Sequence, residues 1–415
     1  MLGMLGMSFY ILADTFFISK AVGADGITAL NLVLPLYNLI FAIGAMIGVG
    51  SAIRFVVARN KNDKSADGYF FNAVIWAVIL SSVFIVAGAL IPDKIISVLG
   101  GDETIVAVGK QYTRIFMMCN HICNAFVRND GNPSIAMAAT LFSSLFNVVF
   151  DYVLMFPLGM SMSGAALATA LSPVVGVLIC CIHFRSKKCS ISFKPVLPSV
   201  KRLVYSCQVG VSAFVGEISS GVITVAFNMI ILGLAGNIGV AAYGVVANIS
   251  LVAVALFNGI AQGFQPLISE SYGKGRMQDV RYVVGLAFKT AIGLAVIIIA
   301  AIYIWSDPIA SIFNSEKNME LASYAREGIR LYFLGFMFAG INIIGTAALS
   351  AVEAVKWAFT ASIMRGFVAI LIFAFVLSAL FGMTGVWLAF PAAELVTMTL
   401  SIIGMKKSIA VSKTT

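Results

Sequence analysis

Charged residues are scarce in this chain of 415 residues, and their scarcity excludes most classes of soluble protein. Asp, Glu, Lys and Arg make up 11% of the sequence, 60% is hydrophobic and the mean hydropathy is +1.00. Soluble globular domains carry roughly 25% charged residues. The composition therefore predicts a protein embedded in the lipid bilayer.

Catalytic and metal-binding signatures are also missing. The sequence contains no His-Glu-x-x-His helix and no Gly-x-Ser-x-Gly elbow, so we do not expect an enzyme. Its 6 cysteines form no secreted disulfide framework, and the segment from Cys119 to Cys123 lacks a standard zinc spacing. We expect no cofactor and no transition metal. The net charge of +9 does not indicate nucleic acid, because the basic residues fall between apolar runs.

Long apolar runs are what the sequence has in abundance. A membrane-spanning helix needs about 20 mostly apolar residues. Twelve runs meet that need: 1–19, 27–53, 69–91, 104–127, 134–157, 163–184, 203–234, 240–268, 283–305, 321–348, 357–380 and 385–404. The first run, 1–19, would be only about 28 Å long as a helix. We therefore expect either that the protein starts upstream of Met1 or that the chain is truncated. The runs predict an all-α integral membrane protein with twelve transmembrane helices.

Lysine and arginine alternate between the loops. Most lie after even-numbered spans or in the C-terminal tail, whereas the odd loops hold only Lys20, Lys94 and Lys317. The positive-inside rule places the even loops and both termini in the cytoplasm.

The chain divides into two similar halves. A basic linker separates two sets of six spans, which predicts lobes 1–184 and 203–404, a cytoplasmic linker 185–202 and a cytoplasmic tail 405–415. Since six is even, both halves have the same orientation, as in a parallel repeat about the membrane normal. Transporters of this design bind substrate between the halves and expose it to each side in turn.

Short motifs recur at matching places in the two halves. Ser163–Ala168 opens the sixth span and Thr384–Ala389 opens the twelfth, and each follows a Gly-Met pair. Ala58–Asp63 after the second span matches Ser271–Arg276 after the eighth.

Two aspartates lie inside apolar spans, Asp14 in the first and Asp151 in the fifth. An ionised Asp at bilayer depth costs about 2.5–3.5 kcal/mol, so such residues usually bind ions, relay protons or line a substrate path. Asn147 precedes Asp151 by four residues, which places both on one helix face. Their hard oxygens suit Na⁺, and the carboxylates can also accept a proton. Two carboxylates held close resist being ionised together, so a small cation would discharge them.

These residues together resemble the multidrug and toxic compound extrusion (MATE) family. The resemblance is carried by Asp14, by Val127–Pro133 before the fifth span, by Asn147–Asp151 within it and by Gly164–Thr169 opening the sixth. It implies a V-shaped bundle of two six-helix lobes that works by alternating access in a bacterial plasma (inner) membrane. It implies export of bulky, lipophilic, often cationic small molecules in exchange for Na⁺ or H⁺, and we expect the chain to act as a monomer.

The resemblance also implies a cation site in the N-terminal lobe, formed by Asp14, Asn147, Asp151 and Thr169. Another branch of the family uses a glutamate of the seventh helix, and Glu217 occupies a similar place. Glu394 is a further carboxylate within a span, and it either lines a cavity in the C-terminal lobe or is a satisfied interior group.

A lipid-linked precursor flippase of a related fold is the alternative function. Such a protein needs basic residues in its cavity for a pyrophosphate. The sequence instead predicts deep charges that are all acidic, which favours cationic cargo: Asp14, Asp151, Glu217 and Glu394.

Overall fold

The computed structural model describes residues 1–116, 122–191, 193, 196–312 and 319–410. Within these residues the chain is helical, with no strand. It divides into an N-terminal unit, Leu2–Glu217, and a C-terminal unit, Ile218–Thr415. The predicted lobe and linker boundaries remain a prediction.

The N-terminal unit holds eight helices and the start of a ninth. They are α1 (Leu2–Ala21), α2 (Ala24–Asn60), α3 (Tyr69–Leu90), α4 (Pro92–Val98), α5 (Glu103–Phe116), α6 (Ile122–Asn129), α7 (Pro133–Met155), α8 (Ser161–Phe184) and α9 (Val200–Gly273). A short 3-10 helix, Lys64–Gly68, precedes α3.

The C-terminal unit holds the rest of α9 and five further helices. They are α10 (Met277–Ile312), α11 (Met319–Phe333), α12 (Phe336–Ala351), α13 (Val355–Ile363) and α14 (Ala369–Ala410). A π-helical turn, Met364–Val368, joins α13 to α14.

The helices are consistent with the twelve predicted spans. Among the described residues, eight helical stretches are long and apolar enough to cross a membrane, and α11 with α12 forms one more span bent by 47°. Two of the eight stretches each cover two predicted spans. The boundary between the two spans is a break in the helix, at Gly236 in α9 and at Gly382 in α14. The predicted fourth span covers α5, α6 and the residues between them. Those intervening residues, 117–121, lie outside the described part of the chain.

The two halves share the geometry of their helix ends. In Ala58–Asp63 and in Ser271–Arg276, the amide of the last residue donates to the carbonyl oxygen of the first at 2.9 Å. The fifth residue of each segment, Asn62 or Gly275, has a positive φ of 57° or 72°. This is the Schellman ending of a helix. The two segments therefore end their helices in the same way, and the parallel repeat of the two halves stays a prediction.

The Gly-Met pairs behave in the same way. Gly159 before α8 has a φ of 62°, and Gly382 before the second part of α14 has a φ of 58°. A residue with a β-carbon rarely adopts these angles, so glycine permits the sharp reversal between consecutive spans in both halves.

Candidate functional site: a buried carboxylate pair

Helix α7 buries a polar stripe and exposes an apolar one. Ser144, Asn147 and Asp151 are buried, and Asp151 is 0% exposed. The opposite side carries side chains that are 46% to 58% exposed: Phe142, Leu145, Val149 and Tyr152. In a bilayer the apolar side faces lipid, so the polar stripe faces protein. Asp151 therefore points away from the acyl chains.

Small residues bring α8 close enough to complete this stripe. A β-carbon on Gly164 would lie 3.0 Å from the carbonyl carbon of Leu154 on α7. Ala165, Ala166 and Ala168 are fully buried. Close approach of this kind is typical of small residues in membrane helices. It places Thr169 opposite Asn147, where Asn147 Nδ2 and Thr169 Oγ1 are 3.2 Å apart.

The amide of Asn147 has one orientation that satisfies all its neighbours. With the nitrogen turned to Asp151, it donates to Asp151 Oδ2 at 3.2 Å. Its oxygen then accepts from the backbone amide of Thr169 at 3.3 Å and from Thr169 Oγ1 at 3.2 Å. In this arrangement Asn147 holds the Asp151 carboxylate in place and leaves the other carboxylate oxygen, Oδ1, available.

Helix α1 packs along α7 and supplies the second carboxylate. A β-carbon on Gly6 would lie 2.9 Å from Leu141 Cδ2, which shows how closely the two helices approach. Asp14 is buried, and its charge acts on Asp151. Asp14 Oδ1 and Asp151 Oδ1 are both buried without a hydrogen-bond partner, and neither carboxylate forms an ion pair with any described residue.

Tyr10 on α1 feels the charge of three of the predicted carboxylates. Tyr10 lies one helical turn before Asp14, and its hydroxyl is 3.3 Å from the hydroxyl of Tyr37 on α2. The charges of Asp14, Asp151 and Glu217 all act on Tyr10. Glu217 is exposed, unlike the aspartates. The structure thus brings Asp14, Asn147, Asp151 and Thr169 together, and it does not place Glu217 in contact with them.

Glu394 belongs to a separate network in the C-terminal unit. Arg365 Nε donates to Glu394 Oε1 at 2.6 Å, and Asn342 Nδ2 donates to Glu394 Oε2 at 2.7 Å. Ser401 Oγ donates to Asn342 Oδ1 at 2.9 Å. Of the two expectations for Glu394, the satisfied interior carboxyl is the one observed.

The view that the deep charges are all acidic is wrong, because Arg365 lies within the predicted span 357–380 and neutralises Glu394. Sequence reasoning overlooked this residue, although a basic residue in an apolar run is the same signal that identified Asp14 and Asp151.

A second buried network lies at the predicted cytoplasmic end of the N-terminal unit. Asp130 accepts hydrogen bonds from Arg59 Nη1 at 2.7 Å and from the backbone amide of Ser190 at 2.9 Å, and its Oδ2 lies 2.9 Å from His183 Nε2. The hydroxyl of Ser190 also donates to Asp130. These bonds join α2, α8 and the predicted linker around one carboxylate.

Within the described residues, Asp130, His183 and Cys189 are the one group whose ligand atoms could hold a metal ion, all within 4.8 Å. Arg59 and Ser190 already satisfy the Asp130 carboxylate. The segment from Cys119 to Cys123, which lacks a zinc spacing, lies mostly outside the described part of the chain.

A multi-spanning helical protein with a pair of buried carboxylates has the architecture of a secondary transporter. The family model described as MatE matches residues 1–153 and 213–376. The chain therefore belongs to the MatE family, and the predicted membership is confirmed. It is a membrane transporter and not an enzyme.

Named relatives and solved structures agree with this assignment. The chain is 26% identical over 406 residues to the multidrug export protein MepA of Staphylococcus aureus, a match that covers 95% of this chain and 88% of MepA. It is 25% identical over 405 residues to MepA of Staphylococcus saprophyticus, with the same coverage.

Two solved structures share the fold at 22% identity. An outward-facing multidrug resistance MATE family transporter of the MOP superfamily has a TM-score of 0.91, with 100% of this chain and 95% of that chain covered. A MOP superfamily transporter from Pyrococcus furiosus, described as having a binding pocket of reverse polarity, has a TM-score of 0.88 with the same coverage.

Proposed function

We propose that the protein is a multidrug efflux antiporter that exports bulky, lipophilic, often cationic compounds in exchange for Na⁺ or H⁺. Its relatives are named multidrug export proteins, and a parallel repeat of six spans suits alternating access. We further propose that it works as a monomer in the plasma membrane with both termini in the cytoplasm. The alternation of basic loops supports that orientation.

One observation carries the coupling proposal: two neighbouring buried carboxylates each keep an oxygen without a partner. A buried carboxylate without a counter-charge is costly, and here the described neighbours provide a hydrogen bond but no cation. Na⁺ could bind between Asp14 Oδ1 and Asp151 Oδ1, because hard oxygen atoms suit it. A proton on either carboxylate would relieve the same repulsion.

Cation binding would change the packing of three helices. Asp14, Asp151 and Thr169 lie on α1, α7 and α8, so discharging the pair allows these helices to come closer around it. Release of the ion restores the repulsion. The ion gradient supplies the energy, since each charge that crosses is worth about 2.3 kcal/mol per 100 mV.

Ethidium efflux from vesicles under separately imposed Na⁺ and pH gradients tests this function. We expect wild-type efflux to respond to one of the two gradients, and Asp14→Asn or Asp151→Asn to remove that response. Asp93→Asn is the matched control, because Asp93 is an exposed carboxylate at the start of α4. If both buried variants responded to the gradients as the wild type does, the coupling proposal would fail.

The flippase alternative gains no support from the C-terminal unit. A pyrophosphate needs several basic groups, whereas Arg365 is a single residue already paired with Glu394. A direct comparison would be the export of ethidium and the translocation of a lipid pyrophosphate by the same purified protein. The antiporter proposal expects only the first.

A further inference from the structure

We propose that Arg365 forms a recognition site for the anionic group of a transported compound, so that zwitterionic amphiphiles are bound through their carboxylate. The inference rests on the proposed efflux function and names a binding group for it. The site consists of Arg365 with its partners Glu394 and Asn342.

The depth of Arg365 makes its charge significant. Lys407 lies over the ring of Trp357 at 5.3 Å, and such residues typically mark a membrane interface. Arg365 follows Trp357 by eight residues, which is about 12 Å along a helix, while half of a hydrocarbon core is about 15 Å. Arginine near the bilayer midplane is rare and usually serves a pathway or a partner.

Arg365 lies at the border between the buried and the exposed sides of its helix. Ala361 and Ala369, four residues away in either direction, are buried, whereas Val368 and Ile372 are exposed. The ion pair with the buried Glu394 and the burial of these two alanines place the inner part of the Arg365 side chain against protein.

The hydrogen-bonding capacity of the pair is asymmetric. Glu394 uses both carboxylate oxygens, one with Arg365 and one with Asn342, and its side chain is 2% exposed. Arg365 uses only Nε, and its side chain is 27% exposed. Its Nη1 and Nη2 donate to no described residue. A guanidinium with these two nitrogens open presents the fork that binds a carboxylate through two parallel hydrogen bonds.

The backbone at Arg365 is also unusual. The π-helical turn Met364–Val368 interrupts the regular helix at this residue. Such turns occur frequently at functional sites. Arg365 lies within this turn, pairs with Glu394 and keeps part of its side chain exposed.

Efflux of two matched dyes from proteoliposomes tests the inference: a cationic rhodamine ester and the free acid of the same dye, which is a zwitterion. The double variant Arg365→Gln with Glu394→Gln removes both charges together and leaves no unpaired buried charge. We expect its acid-to-ester rate ratio to be about tenfold lower than that of the wild type, with both rates measured in the same variant so that a general loss of activity cancels. An unchanged ratio would overturn the inference.

A second measurement needs no variant. Phenylglyoxal modifies accessible arginines, and mass spectrometry of wild-type protein reports which ones react. The free acid should protect Arg365 from modification and the ester should not, whereas Arg276, which is exposed, should react in both cases. Equal reaction of Arg365 with either dye present would refute the site, even if the double variant does not fold. If the wild type exports neither dye, the proposed efflux function fails, and the protection experiment still decides the question of binding.

Discussion

At the scale of single residues, the environment of each carboxylate sets its role. Asp151 and Asp14 are buried, and each has a carboxylate oxygen without a hydrogen-bond partner. Glu394 is also buried, but both of its carboxylate oxygens accept hydrogen bonds. The first arrangement leaves room for an incoming cation, and the second is already neutral. The N-terminal pair is therefore suited to exchange a cation, while the C-terminal pair can recognise a ligand only through Arg365.

Thr169 provides a residue-scale prediction about ion affinity. Thr169→Val removes the hydroxyl that bonds to Asn147, which should loosen the amide that orients Asp151. One such hydrogen bond is worth about 1 kcal/mol, so we expect about fivefold weaker affinity for the coupling ion. The measurement is the ion concentration that gives half-maximal efflux.

Thr169→Ser keeps the hydroxyl and serves as the control, for which we expect the wild-type affinity. Equal half-maximal concentrations in the Val and Ser variants would show that the hydroxyl takes no part in ion binding.

Sequence reasoning predicted Asp14, Asn147, Asp151 and Thr169 as one site, but it did not predict the partners of Glu394. Asp14 and Asp151 are conspicuous because a charge interrupts an apolar run. Their neighbours depend on how separate helices pack, and Arg365 is 29 residues from Glu394 along the chain. The network of Asp130 was missed for the same reason, because its partner His183 is 53 residues away.

At the scale of elements, local sequence explains most of the helices and their ends. Gly131-Asn132-Pro133 shows this well: Gly131 has a φ of 84°, Asn132 accepts from the amide of Ile135 as an N-cap, and Pro133 opens α7. These are the standard preferences for glycine, asparagine and proline at helix ends. Apolar length is a local property, so the spans could be predicted from the sequence, and the breaks at Gly236 and Gly382 fall between predicted spans.

The crossing of α2 and α9 gives an element-scale prediction. A β-carbon on Gly50 would lie 1.9 Å from the carbonyl oxygen of Ser206, so the two backbones must move apart to accept Gly50→Ala. We expect a loss of at least about 2 kcal/mol of stability, measured as a lower thermal unfolding midpoint in detergent.

Gly263→Ala is the matched control, because a β-carbon there meets nothing within 4 Å. The added methyl group should leave stability unchanged or raise it slightly, since alanine favours the helix. Equal midpoints for the two variants would contradict the close crossing.

At the scale of the whole molecule, the distribution of charge predicts the orientation in the membrane. Single cysteines at Asp93, in the loop after the third predicted span, and at Lys187, in the predicted linker, report opposite sides. In a background without the 6 native cysteines, an impermeant thiol reagent should label Asp93→Cys in intact cells. Lys187→Cys should react only after the cells are permeabilised, because both termini and the even loops are expected in the cytoplasm. Labelling of Lys187→Cys in intact cells would reverse the orientation.

The central claim is that a cation discharging Asp14 and Asp151 is exchanged for the exported compound. The most direct measurement imposes an outward ethidium gradient on proteoliposomes without any ion gradient, while internal pH and Na⁺ are recorded. We predict that outward ethidium movement drives H⁺ or Na⁺ inward in the wild type, and that Asp151→Asn abolishes the ion movement. Ethidium efflux with no accompanying ion flux in the wild type, or unchanged exchange in the variant, would contradict the account.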